Sequence, residues 1–414
     1  MTSTLWPASR EFHRLLLAAT TSRFGSGFFN ISVTWLLYER THSVILLGAL
    51  WGSYMAVGGL FQVGVTRYRL ERRRPMVWLA VAAGIVLLAP SLAASLEIFR
   101  VWELWPVFVL VGLVIRPLNA GVQSLVPNYV EPDLRRSANA LLVGATEAAA
   151  VVGPVVAGIV IARGGALSGL EIDAVGVLTT AVILATLPRV PQPAIGLGPG
   201  HAAIIAAGAR RIWRHRVVRR VVALAVVAEF TDSAYAVLSV PLVILVLHQT
   251  PAGLGLLEGA LSAGMVIGSG VVRHIPRTIL ISTRWWTVGF FCLLYAILTT
   301  VPSLSWMIPI QGAAGVTLAI FQVESQTRLQ ALVDGDFLGT LLMWQEGLSR
   351  GGAKSLGSIG VALLAVQAGI PGAFVLFGIL GALVSLWPAL GLRRMDVKEQ
   401  NLRADQRARN AQWP

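Results

Sequence analysis

The chain has 414 residues, 55% of them hydrophobic and only 13% charged, with a mean hydropathy of +0.71. Soluble domains carry about 25% charged residues, so this composition excludes an ordinary soluble enzyme and points to lipid. The net charge of +13 lies between apolar stretches rather than on one polar module, which argues against nucleic acid as a partner and for membrane topology.

A bilayer core about 30 Å thick takes roughly 20 apolar residues per helix. Apolar windows predict spans near 12–38, 44–66, 75–97, 104–126, 138–162 and 170–188, then near 217–247, 253–272, 279–300, 303–325, 339–366 and 370–391. The expected fold class is an all-α membrane protein, with twelve transmembrane helices in two six-helix halves. The halves are residues 1–188 and 217–391, joined by a cytoplasmic linker at 189–216 and followed by a cytoplasmic tail at 392–414. The first apolar segment is too long for a cleavable signal and is read as a true span.

In span 1, Arg23 and Asn30 share a helix face, with Phe28 and Trp35 nearby. The loop after span 2 runs Gly64, Tyr68, Arg69, Glu71, Arg72, Arg73, Arg74. Arg116 lies deep in span 4 beside Pro117 and Asn119, and span 5 carries Gly153, Pro154 and Gly158. Glu171 and Asp173 stand near the turn before span 6. Arginines concentrate in the loops after spans 2, 4, 6 and 8 and in the tail, whereas the opposite loops offer Arg40, Arg100 and Arg163. Basic residues stay on the cytoplasmic side, so both termini are expected there, in a multi-pass protein of the cell (plasma) membrane.

The second half holds the most informative charges. Ionisable residues inside a span cost about 2.5–3.5 kcal/mol on insertion scales, so each is a functional candidate. Glu229 and Asp232 in span 7 are three apart and share a face, an arrangement suited to holding a proton; the competing reading pairs Glu229 with a linker arginine. Glu258 in span 8 reads as packing. Span 10 carries Gln322 and Glu324, and Glu346, Arg350 and Lys354 form a charged stripe on span 11, read as an internal ion-pair ladder. Trp102, Trp105, Trp285, Trp286 and Trp306 fall at span ends and read as interfacial anchors; the single cysteine, Cys292, reads as filler.

Two stretches carry a family resemblance. Gly64, Arg69 and Arg72 to Arg74 keep the register of the span 2 loop of the major facilitator superfamily, with Tyr68 where that family has an aspartate. The run Leu125-Val126-Pro127-Asn128-Tyr129, then Asp133, Ala138-Asn139-Ala140 and Gly153-Pro154 to Gly158, resembles the drug–proton antiporter branch, which includes macrolide and enterobactin exporters. The resemblance implies a cytoplasmic gate at Gly64, Tyr68, Arg69, Glu71 and Arg72 to Arg74, and an export-linked helix bend at Gly153, Pro154 and Gly158. It also implies a cavity lined by spans 1, 4, 7 and 10. Asn30, Phe28, Arg116, Asn119, Gln322 and Glu324 are the cavity candidates, and Glu229 and Asp232 the proton-coupling candidates.

The leading expectation is proton-coupled export of a small amphipathic or hydrophobic, drug-like molecule by alternating access. A siderophore- or lipid-like solute moved without proton coupling is the alternative, and a non-transporting membrane receptor or assembly partner is a third reading. No enzyme, metal or nucleotide signature occurs, so no cofactor is expected beyond a proton gradient. The expected partners are a small-molecule substrate and the lipid bilayer, with the protein acting as a monomer.

Overall fold

The computed structural model describes residues 9–68, 73–131, 134–188, 213–276, 285–332 and 344–411, with 210, 279, 280, 283 and 341 between them. Side chains are not described at 60–73, 114–124, 127, 128, 136, 137, 140, 273, 330–332 and 397–411. Every regular element among the described residues is helical. The first half contains α1 (Arg10–Thr41), α2 (Val44–Tyr68), α3 (Arg73–Ser95) and α4 (Leu104–Tyr129). The segment Arg135–Thr186 breaks at Gly165, whose φ of 79° suits a residue without a Cβ, and so divides into α5 (135–164) and α6 (166–186). The second half contains α7 (Arg216–Pro241), α8 (Pro251–Val271), α9 (Thr287–Leu298) and α10 (Leu304–Leu332). Residues 344–411 break likewise at Gly369, φ 74°, into α11 (344–368) and α12 (370–411).

Six stretches among the described residues are long and apolar enough to cross a membrane: Arg74–Ser95, Leu141–Thr186, Arg216–Val246, Pro251–Val271, Leu304–Leu329 and Trp344–Asp396. The second and last each hold two helices. Large apolar side chains point outward along them, among them Trp78, Val182, Leu356, Val366 and Leu383, each at least 60% exposed. Such a surface is intolerable in water and ordinary against acyl chains.

The two halves repeat one another at their turns. His42 after α1 and His248 after α7 are both left-handed (φ 48° and 51°), and the single-glycine turns at Gly165 and Gly369 close the fifth helix of each half. These matched kinks are an internal repeat that the side chains conceal.

Within the first half, α1 packs on α5 and α6, and α3 on the same pair and on α4. Ser9 caps α1 by accepting from the Phe12 amide at 3.1 Å while its hydroxyl donates to the Tyr129 carbonyl at 2.7 Å, fastening the start of α1 to the end of α4. In the second half α7 packs on α11 and α12, α8 on α10, and α9 on α10 and on the α11–α12 pair.

The halves meet along two seams, α5 against α8 and α2 against α11. Both are glycine seams. A side chain at Gly158 would strike the Pro251 carbonyl and Gly255, and one at Gly255 would strike the Pro154 carbonyl. Gly59 and Gly351 likewise meet backbone to backbone. Small residues let helices approach closely where no water-driven force holds them together. The α5–α8 contact runs from 151 to 158 on one helix and from 251 to 259 on the other, at the end remote from the basic loops. Toward the basic end, Gly144 and Gly270 face open space and Val143 is 57% exposed.

The structure adds to three sequence expectations. The chain past 392 continues as helix α12 to Ala411, with Leu392 and Asp396 buried. Trp285 is 1% exposed and its indole donates to Asp396 at 2.7 Å, so it is a tie between α9 and α12 rather than an interfacial anchor. Asp173 is not at the α5–α6 turn; it is fully buried inside α6, in the notch left by Gly25 of α1, and neither oxygen has a partner among the described residues.

Candidate functional site

The site forms where α7 faces α11. From Gly347 to Lys354 the helix widens to π geometry, a form that concentrates at functional sites. Its three glycines, Gly347, Gly351 and Gly352, keep the wide turn slim enough for Gly351 to rest on Gly59 of α2. The turn carries Arg350 and Lys354 to the acids of α7. Arg350 Nε donates to Glu229 Oε1 at 2.9 Å, and Arg350 Nη1 stands 3.5 Å from Glu346 Oε2. Lys354 Nζ bridges both acids, 3.3 Å from Glu229 Oε2 and 2.5 Å from Asp232 Oδ2. The other oxygen of Asp232 accepts from the Tyr295 hydroxyl of α9 at 2.8 Å.

The charged stripe of α11 thus discharges chiefly onto α7 rather than along itself. Glu229 lies well inside α7, which begins at Arg216, and its partners are Arg350 and Lys354 rather than a linker arginine. At 12–18% side-chain exposure, Lys354, Glu229 and Asp232 are largely removed from water, where charge-assisted hydrogen bonds are strong and loss of one partner is costly.

A cavity lies on each side of this cluster. The inner one, about 120 Å³, is bounded by Asn30 and Thr34 of α1, Trp51 of α2, Asp232 and Tyr235 of α7, Glu258 of α8 and Lys354. The outer one, about 220 Å³ and toward the basic end, is bounded by Glu229, Gln322, Gln326, Gln345, Glu346 and Arg350. The ion pairs form the partition between them.

The remaining sequence candidates fall as follows. Asn30 faces the inner cavity and Gln322 the outer one. Phe28 is 1% exposed and packs on Phe24 at 5.3 Å between ring centres, away from both cavity walls. Glu324 is buried in α10 at 8% exposure and lines neither. One turn on, Arg328 reaches Asp396 at 3.6 Å. Gly153, Pro154 and Gly158 form the pivot of α5: Gly27 of α1 rests on Gly153 and Pro154, and Gly158 rests on α8. The side chains of Arg116 and Asn119, and of the loop candidates Tyr68 and Arg73, lie outside the described residues, as do Arg69, Glu71 and Arg72 entirely. Gly64 lies within α2, and Arg74 is exposed in the first turn of α3.

Sequence reasoning missed Trp51, Tyr235, Tyr295 and Gln311, because a neutral aromatic or amide inside a span gives no charge signal. It also misread Glu258, which faces the inner cavity instead of serving only as packing.

The sequence model of the Major Facilitator Superfamily matches residues 15–277. The enterobactin exporter EntS of Salmonella choleraesuis (strain SC-B67) is 26% identical over 405 residues, covering 90% of this chain and 92% of that one. The uncharacterized MFS-type transporter y4rN of Sinorhizobium fredii is 27% identical over 284 residues, covering 63% and 67%. Among solved structures, a variant of the nucleoside transporter NupG superposes with a TM-score of 0.70 at 11% identity, covering 93% of this chain and all of that one. A bacterial homologue of the human lysosomal transporter Spinster, inward-facing and occupied, gives 0.66 at 13%, covering 94% and 96%. These structural likenesses bear on the fold alone.

Proposed function

We propose, from the premise that this chain belongs to the Major Facilitator Superfamily, that it exports a small amphipathic solute by alternating access in exchange for protons, using the α7–α11 ion-pair cluster as the coupling device. The chain is a multi-pass membrane transporter and not an enzyme. The reading of its cycle rests on one observation: two acids share a single lysine, Lys354, on the partition between the inner and outer cavities. A proton delivered to Asp232 neutralises that carboxylate and releases Lys354 from it, loosening α11 from α7. Loss of the proton restores the bond.

With the basic loops assigned to the cytoplasm, both termini lie there, and the α5–α8 glycine seam lies toward the opposite face. Solute enters the cavity nearer the cytoplasm, passes the ion-pair partition to the inner one and leaves when the seams between the halves part. The transport unit proposed is the single chain, which carries both cavities.

Accumulation of ethidium in proteoliposomes, with and without an imposed pH gradient, tests the coupling. The gradient is expected to drive accumulation in the unaltered protein and to lose its effect in Asp232→Asn. Flux that ignores the gradient, unchanged by Asp232→Asn, would reduce the protein to a facilitator. The second reading, export of a siderophore, is favoured by the enterobactin exporters at 26% identity over most of the chain; an enterobactin arm of the same assay, outcompeting ethidium, would establish it.

A further inference from the structure

The inner cavity carries a hydrogen-bonding group that the protein itself leaves unused. Trp51 Nε1, buried, has no hydrogen-bond partner among the described residues, while the Tyr235 hydroxyl has Gln311 of α10 beside it. A buried polar group without a partner costs about 1–3 kcal/mol, and native proteins leave few of them. An orphaned indole N–H on the cavity wall marks the place of a missing acceptor.

The charge at this wall is also unbalanced. Lys354 is engaged by Asp232 and Glu229, and Arg350 by Glu229 and Glu346. Glu258, on the opposite wall from α8, has no ion pair among the described residues. The cluster therefore holds four acids against two bases, and the acid outside the ion pairs, Glu258, faces the cavity.

We infer that the inner cavity is the binding site for a protonated amine that keeps its N–H groups and has a hydrogen-bond acceptor beside it. Glu258 accepts from the ammonium, and Asn30 offers it a carbonyl. The Trp51 indole donates to the neighbouring acceptor, and its ring face, held edge-on against Phe108 at 5.2 Å, borders the same space. Tyr235 completes the collar. A site of this kind rejects a solute that lacks the matching groups more strongly than an apolar pocket rejects one of the wrong size, because the solute leaves the site's own polar atoms unpaired. It disfavours carboxylates, which would meet Glu258 and Asp232, and tetraalkylammonium ions, which, unlike ethidium with its aryl amines, have no N–H to give.

This inference names the solute class for the transporter proposed above and rests on that reading only in treating the inner cavity as the solute site. The test is binding to the purified full-length protein by thermal shift, with three probes of one skeleton: phenylalanine amide, its trimethylammonium analogue and N-acetylphenylalanine. Phenylalanine amide is expected to stabilise the protein, with the other two roughly ten-fold or more weaker. Glu258→Gln is expected to abolish that preference, and Trp51→Phe to weaken the amide probe while sparing the weak binding of the trimethylammonium analogue. No stabilisation by the amide at millimolar concentration, tighter binding of N-acetylphenylalanine, equal binding of the quaternary analogue, or an undiminished preference in Glu258→Gln would each overturn the assignment. Because the readout is binding, it stands apart from proton-driven flux: an anion preference with coupled transport intact sinks this inference alone.

Discussion

Lys354 holds the site together, since among the described residues it is the one cation bonded to both α7 acids. Removing one member of a largely buried pair strands the other, whereas removing both leaves a smaller deficit. Lys354→Met is therefore expected to lower the melting temperature of the detergent-solubilised protein, and adding Asp232→Asn to restore part of the loss. Strictly additive melting shifts would show that the two side chains do not depend on one another. At this scale the sequence was half legible. The spacing of Glu229 and Asp232 on one face, and of Arg350 and Lys354 on another, follows from helix periodicity, but their pairing spans 121 and 122 positions and has no local signature. Trp51 is chemically unremarkable in a span until the fold leaves its indole N–H without a partner among the described residues.

Among the elements, the helices were the most readable part. Among the described residues each predicted span falls on helix, the ninth at Thr287–Leu298, because twenty apolar residues in succession permit little else in lipid. The turns at Gly165 and Gly369 were legible only as loops, and the π segment Gly347–Lys354 not at all, since its widening answers to the close approach of Gly59. That approach, together with Gly158 against Gly255, makes the seams intolerant of bulk. Overpacking costs about 1–3 kcal/mol, enough to shift a two-state equilibrium by roughly ten-fold or more. Gly158→Val is thus expected to disfavour the conformation closed at the α5–α8 seam. Cysteine at Val143, exposed on the basic end of α5, reports this, because native Cys292 is fully buried. Maleimide labelling of Val143→Cys should slow when Gly158→Val is added; an unchanged rate would mean that the α5–α8 seam does not set the state.

For the molecule as a whole, two helix groups touch along two glycine seams and enclose an ion-pair cluster between two cavities. The repeated left-handed turns at His42 and His248, and at Gly165 and Gly369, give each group the same frame, so the halves can rock as bodies about the cluster. The amino-acid pattern indicated the halves through span spacing, but not which seam is closed, which depends on contacts no single span contains. The rocking itself is open to direct measurement by distances between paired spin labels, one pair at Val143 and Val271 on the basic ends of α5 and α8, the other at Arg163 and Gln249 on the outer ends, all exposed positions. In lipid, changing pH and adding solute should shorten the first distance as the second lengthens. Two distances that stay fixed, or that change in the same sense, would contradict alternating access in this protein.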